Sequence, residues 1–271
     1  MTLTPSAPAV TPPGLLGGAV VLAGRTVTGW RAQPGPVVTT WLFPVVVTAM
    51  FLSLLGGALD LPDGVGYVDF LVPGMLAVTM LFGLETTTLA AAADASRGIT
   101  DRFRSLPIHA PSIVLGRCLA DLLGSFVGLA VMVSFGLAIG WRPDTTPAAA
   151  LLALGLLLLL RVSLLWAGIA IGYAATSVES VAYVQILVWP VALLSSVFVD
   201  PATMPAWLGT IAQLNPVSAT ASTVRELLGT TGWPGGGALA QLAPVLAVVW
   251  PLVLSAAFLP LAARTFRSGA R

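Results

Sequence analysis

The sequence has no lysine, one cysteine, one histidine and three tyrosines among 271 residues, and only 8% of its residues are charged. Each shortage excludes something. The phosphate-binding loop needs a Lys after its glycines, so this chain cannot build one, and any ATP-driven work must come from another polypeptide. Cys118 stands alone, which rules out an internal disulfide. With His109 it falls short of the three or four oriented ligands of a zinc site and of an oriented Cys–His catalytic pair. We therefore expect no metal site and no catalytic residues. A soluble domain carries about 25% charged residues. A chain with 8% charged and 57% hydrophobic residues cannot cover a surface that faces water. The net charge of +1 gives nucleic acid nothing to bind. All twelve basic residues are Arg, and the Ala-rich, Lys-free composition suggests a high-GC bacterial source. No basic region precedes the first apolar stretch, Leu15–Ala23, and the first charge, Arg25, follows it, which is not the pattern of a signal peptide.

What the chain has is long apolar runs. A spanning helix needs about 20 mostly apolar residues. Six runs qualify: Val37–Leu59, Phe70–Ala93, Ser112–Gly140, Pro147–Tyr173, Val181–Val199 and Ala238–Ala262. Turn signals separate them, among them Gln33-Pro34-Gly35-Pro36, Pro62-Asp63-Gly64, Trp141-Arg142-Pro143-Asp144 and Trp233-Pro234. The expected fold is an all-α membrane protein with six transmembrane helices over residues 37–262. Residues 1–13 form a disordered tail, residues 14–36 an interfacial helix and residues 263–271 a C-terminal tail.

Arginine placement gives the orientation. With the N-terminus inside, cytoplasmic segments hold Arg25, Arg31, Arg97, Arg102, Arg104, Arg117, Arg264, Arg267 and Arg271, and external loops hold only Arg142 and Arg225. Both termini are then cytoplasmic. The segment ending in Gly29-Trp30-Arg31 is too short and interrupted to span. It reads as a helix lying on the inner leaflet, with Arg25, Trp30 and Arg31 at headgroup level. Residues 200–230 hold Met204-Pro205-Ala206-Trp207-Leu208 and Leu214-Asn215-Pro216, which read as short helices dipping into the outer surface.

The loop Asp94–Pro111 carries Arg102 and Arg104 on one side and Phe103, Leu106 and Ile108 on the other. Pro107 would end a short amphipathic helix there, suited to a groove on a soluble partner. Glu85 and Arg161 are the deepest charges, and such groups pair or face water. They form either an ion pair within the bundle or part of a pathway. Arg117 and Asp121, at i and i+4, form a helix-surface pair, and Glu179 is solvated. Gly124/Gly128, Gly136/Gly140 and Gly168/Gly172 allow helices to approach closely, within the bundle or between subunits. Ser163, Gln185 and Ser195 could face a route or bond neighbouring helices.

The set resembles the permease subunits of ABC-2 type exporters, in particular the daunorubicin-resistance branch. The residues that carry the likeness begin with Trp30-Arg31-Ala32-Gln33-Pro34, Pro44 and Tyr67-Val68-Asp69-Phe70-Leu71-Val72-Pro73-Gly74. Arg97-Gly98, Asp101–Ile108, Gly116-Arg117 and Ala120-Asp121 follow. Met204–Leu208, Asn215-Pro216-Val217 and Val224–Gly229 complete the set. The resemblance implies a homodimer or heterodimer of permeases over two copies of a soluble P-loop ATPase, which holds the ATP and Mg. It implies that the loop carrying Gly98, Arg102, Phe103, Arg104, Ser105, Leu106, Pro107 and Ile108 couples to that ATPase. It makes the segment with Pro205, Trp207, Asn215, Pro216 and Arg225 an external re-entrant cap. The expected activity is export of a hydrophobic small molecule or lipid across a bacterial plasma membrane. A polysaccharide or glycolipid cargo is the first alternative. A stand-alone ion-coupled transporter working through Glu85, with Arg161 and Gln185 along its path, is the second.

Overall fold

The computed structural model describes residues 14–32, 34–56, 66–96, 110–175, 177, 181–230 and 238–268. In chain order the helices are α1 (Leu15–Ala32), α2 (Pro34–Leu55), α3 (Tyr67–Ser96), α4 (Ala110–Ala138) and α5 (Pro147–Ala174). A shorter group follows: α6 (Ala182–Leu193), α7 (Ala206–Leu214), α8 (Pro216–Leu227), α9 (Ala238–Gln241), and finally the long α10 (Ala243–Ser268). The expected disordered tail and the expected coupling residues, Gly98 and Arg102–Ile108, lie outside the described residues.

Among the described residues, five helices are long and apolar enough to cross a membrane: α2, α3, α4, α5 and α10. The expected span Val181–Val199 differs. Its helix α6 has 12 residues, about 18 Å at 1.5 Å per residue, against a hydrocarbon core of about 30 Å. Pro190 lies inside it and has no N–H to give the preceding turn. The chain then closes into turns, with Leu194 N–H donating to Pro190 O (2.8 Å) and Ser195 N–H to Ala192 O (3.1 Å).

The organising helix is α3. Its most apolar window is 78% buried, whereas those of α2 and α10 are each 17% buried and face outward. It touches α2, α4, α5, α6 and α8. Association in lipid depends on close packing rather than on a hydrophobic driving force. The α3–α5 seam shows this. A Cβ on Gly168 would lie 3.0 Å from Thr87, and one on Gly172 would lie 2.6 Å from Ala91 Cβ and Thr88 O. The Gly168/Gly172 spacing therefore packs this bundle internally. Hydroxyls within the apolar runs satisfy themselves along their own helices, as with Thr48 to Pro44 O (2.7 Å) and Thr79 to Met75 O (2.7 Å).

Helix α1 lies along α4. Ala19 is buried there, and Gly116 gives the room: a Cβ on it would meet Leu22 Cβ at 2.7 Å. Ser112 Oγ donates to Leu15 O at 2.9 Å. The opposite side of α1 leaves Leu16, Val20 and Val21 exposed.

At the far end of the bundle, α7 and α8 fold back as a cap. Asp200 and Asn215 start its short helices by accepting from Ala202 N–H and Val217 N–H, each at 2.9 Å. Pro216 occupies the first turn of α8. Gly229, at φ +83°, ends α8, with Thr230 N–H donating to Arg225 O (2.9 Å) and Gly229 N–H to Glu226 O (3.2 Å).

Candidate functional site

Two arginines dominate the interior, and each fits a glycine on α3. Arg161 stands on α5 with 2% of its side chain exposed. It is 14 residues from Pro147, or about 21 Å along the helix, near mid-span. Its Nε donates to Ser125 Oγ (2.8 Å) and its Nη2 to Thr87 Oγ1 (2.7 Å). Asp121 Oδ2 is 3.7 Å from that Nη2 and accepts from Thr87 Oγ1 at 2.8 Å. Arg161 Nη1 is buried without a hydrogen-bond partner among the described residues. Gly83 leaves the space, since a Cβ there would lie 2.7 Å from Nε.

The expected pairings are thus rearranged. Arg161 has Asp121 rather than Glu85 as its ion-pair partner. Glu85 instead accepts a hydrogen bond from Gln185 on α6. Arg117 does not pair along its own helix with Asp121 but reaches across to Asp94 at the end of α3. A charge deep in the bilayer has few partners within reach, and tertiary packing chose among three carboxylates. Ser163 and Ser195 are buried and donate within their own segments, to Leu160 O and Ala192 O, so neither lines an open route.

A cavity of about 350 Å³ opens between α1, α2, α3 and α4. Trp30, Trp41, Met80 and Thr86 line it, Asp121 and Arg161 lie at its deep end, and Arg117 borders it toward Asp94. It continues into a second cavity of about 510 Å³ that shares Trp30, Ala93 and Arg117 and reaches Arg25. Trp30 packs over Gly124 (3.3 Å to its ideal Cβ) and meets Trp41 edge-on, with centroids 5.9 Å apart. Arg25 and Arg31 are exposed on α1. Arg117 Nη1 is, like Arg161 Nη1, buried and without a hydrogen-bond partner among the described residues.

Arg225, expected in an external loop segment, is fully buried on α8. It donates from Nε to Phe70 O (2.9 Å), from Nη1 to Ser196 O (3.2 Å) and from Nη2 to Val197 O (3.2 Å). Its guanidinium carbon lies 3.7 Å from the centre of the Phe70 ring. A Cβ on Gly74 would fall 2.5 Å from Nη2. Arg225 thereby ties the cap to the start of α3 and to the turn after α6. Asn215 adds a bond from its amide to Val191 O (2.7 Å). Pro205 and Trp207, at the start of α7, are exposed. Sequence reasoning missed Gly74, Gly83, Thr87, Ser125 and the role of Asp121. The available signal was Asp121 itself, about as deep in α4 as Glu85 is in α3.

The model of the ABC-2 type transporter family matches residues 19–228. The chain is 33% identical over 234 residues to a daunorubicin resistance ABC transporter permease protein of Streptomyces coeruleorubidus, covering 83% of this chain and 82% of that one. It is 25% identical over 178 residues to a protein named as a transport permease in Cyanophora paradoxa, covering 65% of this chain and 61% of that one.

Proposed function

The chain belongs to the ABC-2 type transporter family, and from that premise we propose that it is the membrane half of an ATP-driven exporter of hydrophobic small molecules. The observation that carries this is the family match over residues 19–228, joined to 33% identity with a drug-resistance permease along 82% of that relative's length. The absence of Lys supports a division of labour, with a separate P-loop ATPase supplying the ATP hydrolysis.

In this reading the chain sits in a bacterial plasma membrane with both termini cytoplasmic. Helix α6 and the segment up to Asp200 take the place of the fifth of six spans. The α7–α8 cap faces outward. Two permeases pair over two ATPase subunits, and no cofactor is held by the permease itself. The loop with Gly98 and Arg102–Ile108 docks in the ATPase, Arg102 and Arg104 by charge and Phe103, Leu106 and Ile108 by apolar contact. Helix α3 leads directly into that loop from its N-terminal side. It has 30 residues, about 45 Å, and contacts α8 as well as α2, α4 and α5, so a push on the loop has a rigid path to the outer cap.

The test is co-expression with a candidate ATPase. We expect the two to co-purify and to concentrate a hydrophobic fluorescent dye into inverted vesicles when ATP is added. Changing Arg102, Arg104 and Leu106 together to Ala should release the ATPase while the permease stays folded. ATPase capture that is unchanged in the triple variant sinks the coupling assignment. Dye transport driven by an ion gradient without any ATPase sinks the exporter reading.

A further inference from the structure

The cleft between α1–α2 and α3–α4 has a chemical character that the family match does not supply. Its walls are mostly apolar, with Trp30, Trp41 and Met80 among them, yet two arginines border it, each with a buried Nη1 that has no hydrogen-bond partner among the described residues. The charges themselves are already offset: Arg161 by Asp121, and Arg117 by Asp94. What remains unmet is hydrogen bonding at Arg161 Nη1 and Arg117 Nη1. A buried donor without an acceptor is costly, and a ligand that brings an acceptor relieves that cost. A cationic ligand would face two arginines at close range and gain nothing from either spare donor. The volume of about 350 Å³ lies in the range of small-molecule sites, about 300–1,000 Å³. The second cavity carries the cleft past Trp30 to Arg25 on α1, so a molecule in the membrane interface has a way in.

We propose that this cleft binds a neutral or weakly acidic ring-containing molecule through an acceptor oxygen held by Arg161 or Arg117, with its rings against Trp30 and Trp41. The binding stands on the geometry alone; only its assignment as a cargo-loading site rests on the exporter reading.

The test uses the full chain in lipid nanodiscs and benzophenone, a carbonyl-bearing probe that inserts into C–H bonds on illumination. Labelled residues are mapped by peptide mass spectrometry. The competitors are fluorenone and fluorene, which have the same shape with and without the carbonyl, at equal membrane concentrations. We expect label on the cleft walls of α2, α3 and α4. Fluorenone should compete about 10-fold better than fluorene, which at about 1.4 kcal/mol per decade corresponds to one hydrogen bond from a charged donor. Thr40 lines the cleft from an exposed position on α2. Thr40→Trp should fill it and cut labelling about 10-fold with an unchanged unfolding midpoint. Ala93→Phe, from the facing wall, serves if Thr40→Trp does not fold.

Label spread evenly over the lipid-facing sides of α2 and α10, equal competition by fluorene, or full labelling of both filled variants would overturn the proposal. ATPase capture is read on the same preparations. Cleft labelling without capture keeps the site and sinks the exporter reading; capture with uniform labelling does the reverse.

Discussion

Adding one methyl group to Gly83 tests the interior arrangement most directly. The ideal Cβ would lie 2.7 Å from Arg161 Nε and 2.8 Å from its Cζ. Ordinary carbon contacts start near 3.5 Å, so the guanidinium must retreat by about 0.7 Å. Its Nε bond to Ser125 starts at 2.8 Å and would stretch to about 3.5 Å, beyond useful range. The loss of one hydrogen bond to a charged group costs about 2 kcal/mol, and overpacking about 2 kcal/mol more. Alanine's better helix propensity returns about 1 kcal/mol. Gly83→Ala should therefore cost about 3 kcal/mol net. The assay is unfolding in mixed dodecyl sulfate micelles followed by tryptophan fluorescence. Gly155 on α5 is the control, because nothing lies within 4 Å of its ideal Cβ, and Gly155→Ala should be neutral or gain up to about 1 kcal/mol. In an Arg161→Leu background the Gly83→Ala cost should fall below about 1 kcal/mol, since the clashing group is gone. If Gly83→Ala matches Gly155→Ala in the wild-type background, Arg161 is not held against α3 as described.

Double-mutant cycles should separate the two candidate partners of Arg161: Asp121/Arg161 should couple by about 1–3 kcal/mol, and Glu85/Arg161 should add to within about 0.5 kcal/mol. Arg225→Met strands three carbonyls and removes the ring contact. It should cost about 3–5 kcal/mol in the same micelle assay and open residues 196–230 to protease. Gly229→Ala must adopt φ +83° with its Cβ 2.2 Å from Asp144 O. We expect a loss of at least about 2 kcal/mol and faster cleavage of the 142–146 turn that Thr145 ties to Leu227 O at 2.6 Å.

Much of the helical plan was readable from the chain because lipid imposes a length and an apolar content on each crossing. The run Pro147–Tyr173 and helix α5, Pro147–Ala174, agree within one residue. The run Ser112–Gly140 and α4 agree within two at each end. The run Val181–Val199 misled for a local reason. Hydropathy counts Ser195 and Ser196 as minor interruptions, whereas Pro190 and the turns after it end the helix. Charge partners were illegible for a different reason. Glu85 lies about 16 Å from the C-terminal end of α3 and Asp121 about 16 Å from the N-terminal end of α4, 11 residues at 1.5 Å each. Depth alone could not decide which of them meets Arg161; helix rotation did. Arg225 was counted as a topology marker, and nothing local to Val224-Arg225-Glu226 reveals that three distant carbonyls surround it.

Gly74 and Gly83 are nine residues apart on α3, which at 100° per residue places them about 180° apart around the helix and about 13.5 Å along it. Each is a slot cut in the shaft, and each holds a key from a different neighbour: Arg225 from α8 and Arg161 from α5. A helix keyed on opposite sides can neither spin nor slip by a turn without driving a larger side chain into a guanidinium. Helices α3, α5 and α8 must then travel together. Whatever opens in this protein opens where no key is seated, along α1 and α2, whose packing on the keyed helices leaves the tryptophan-lined cleft between them.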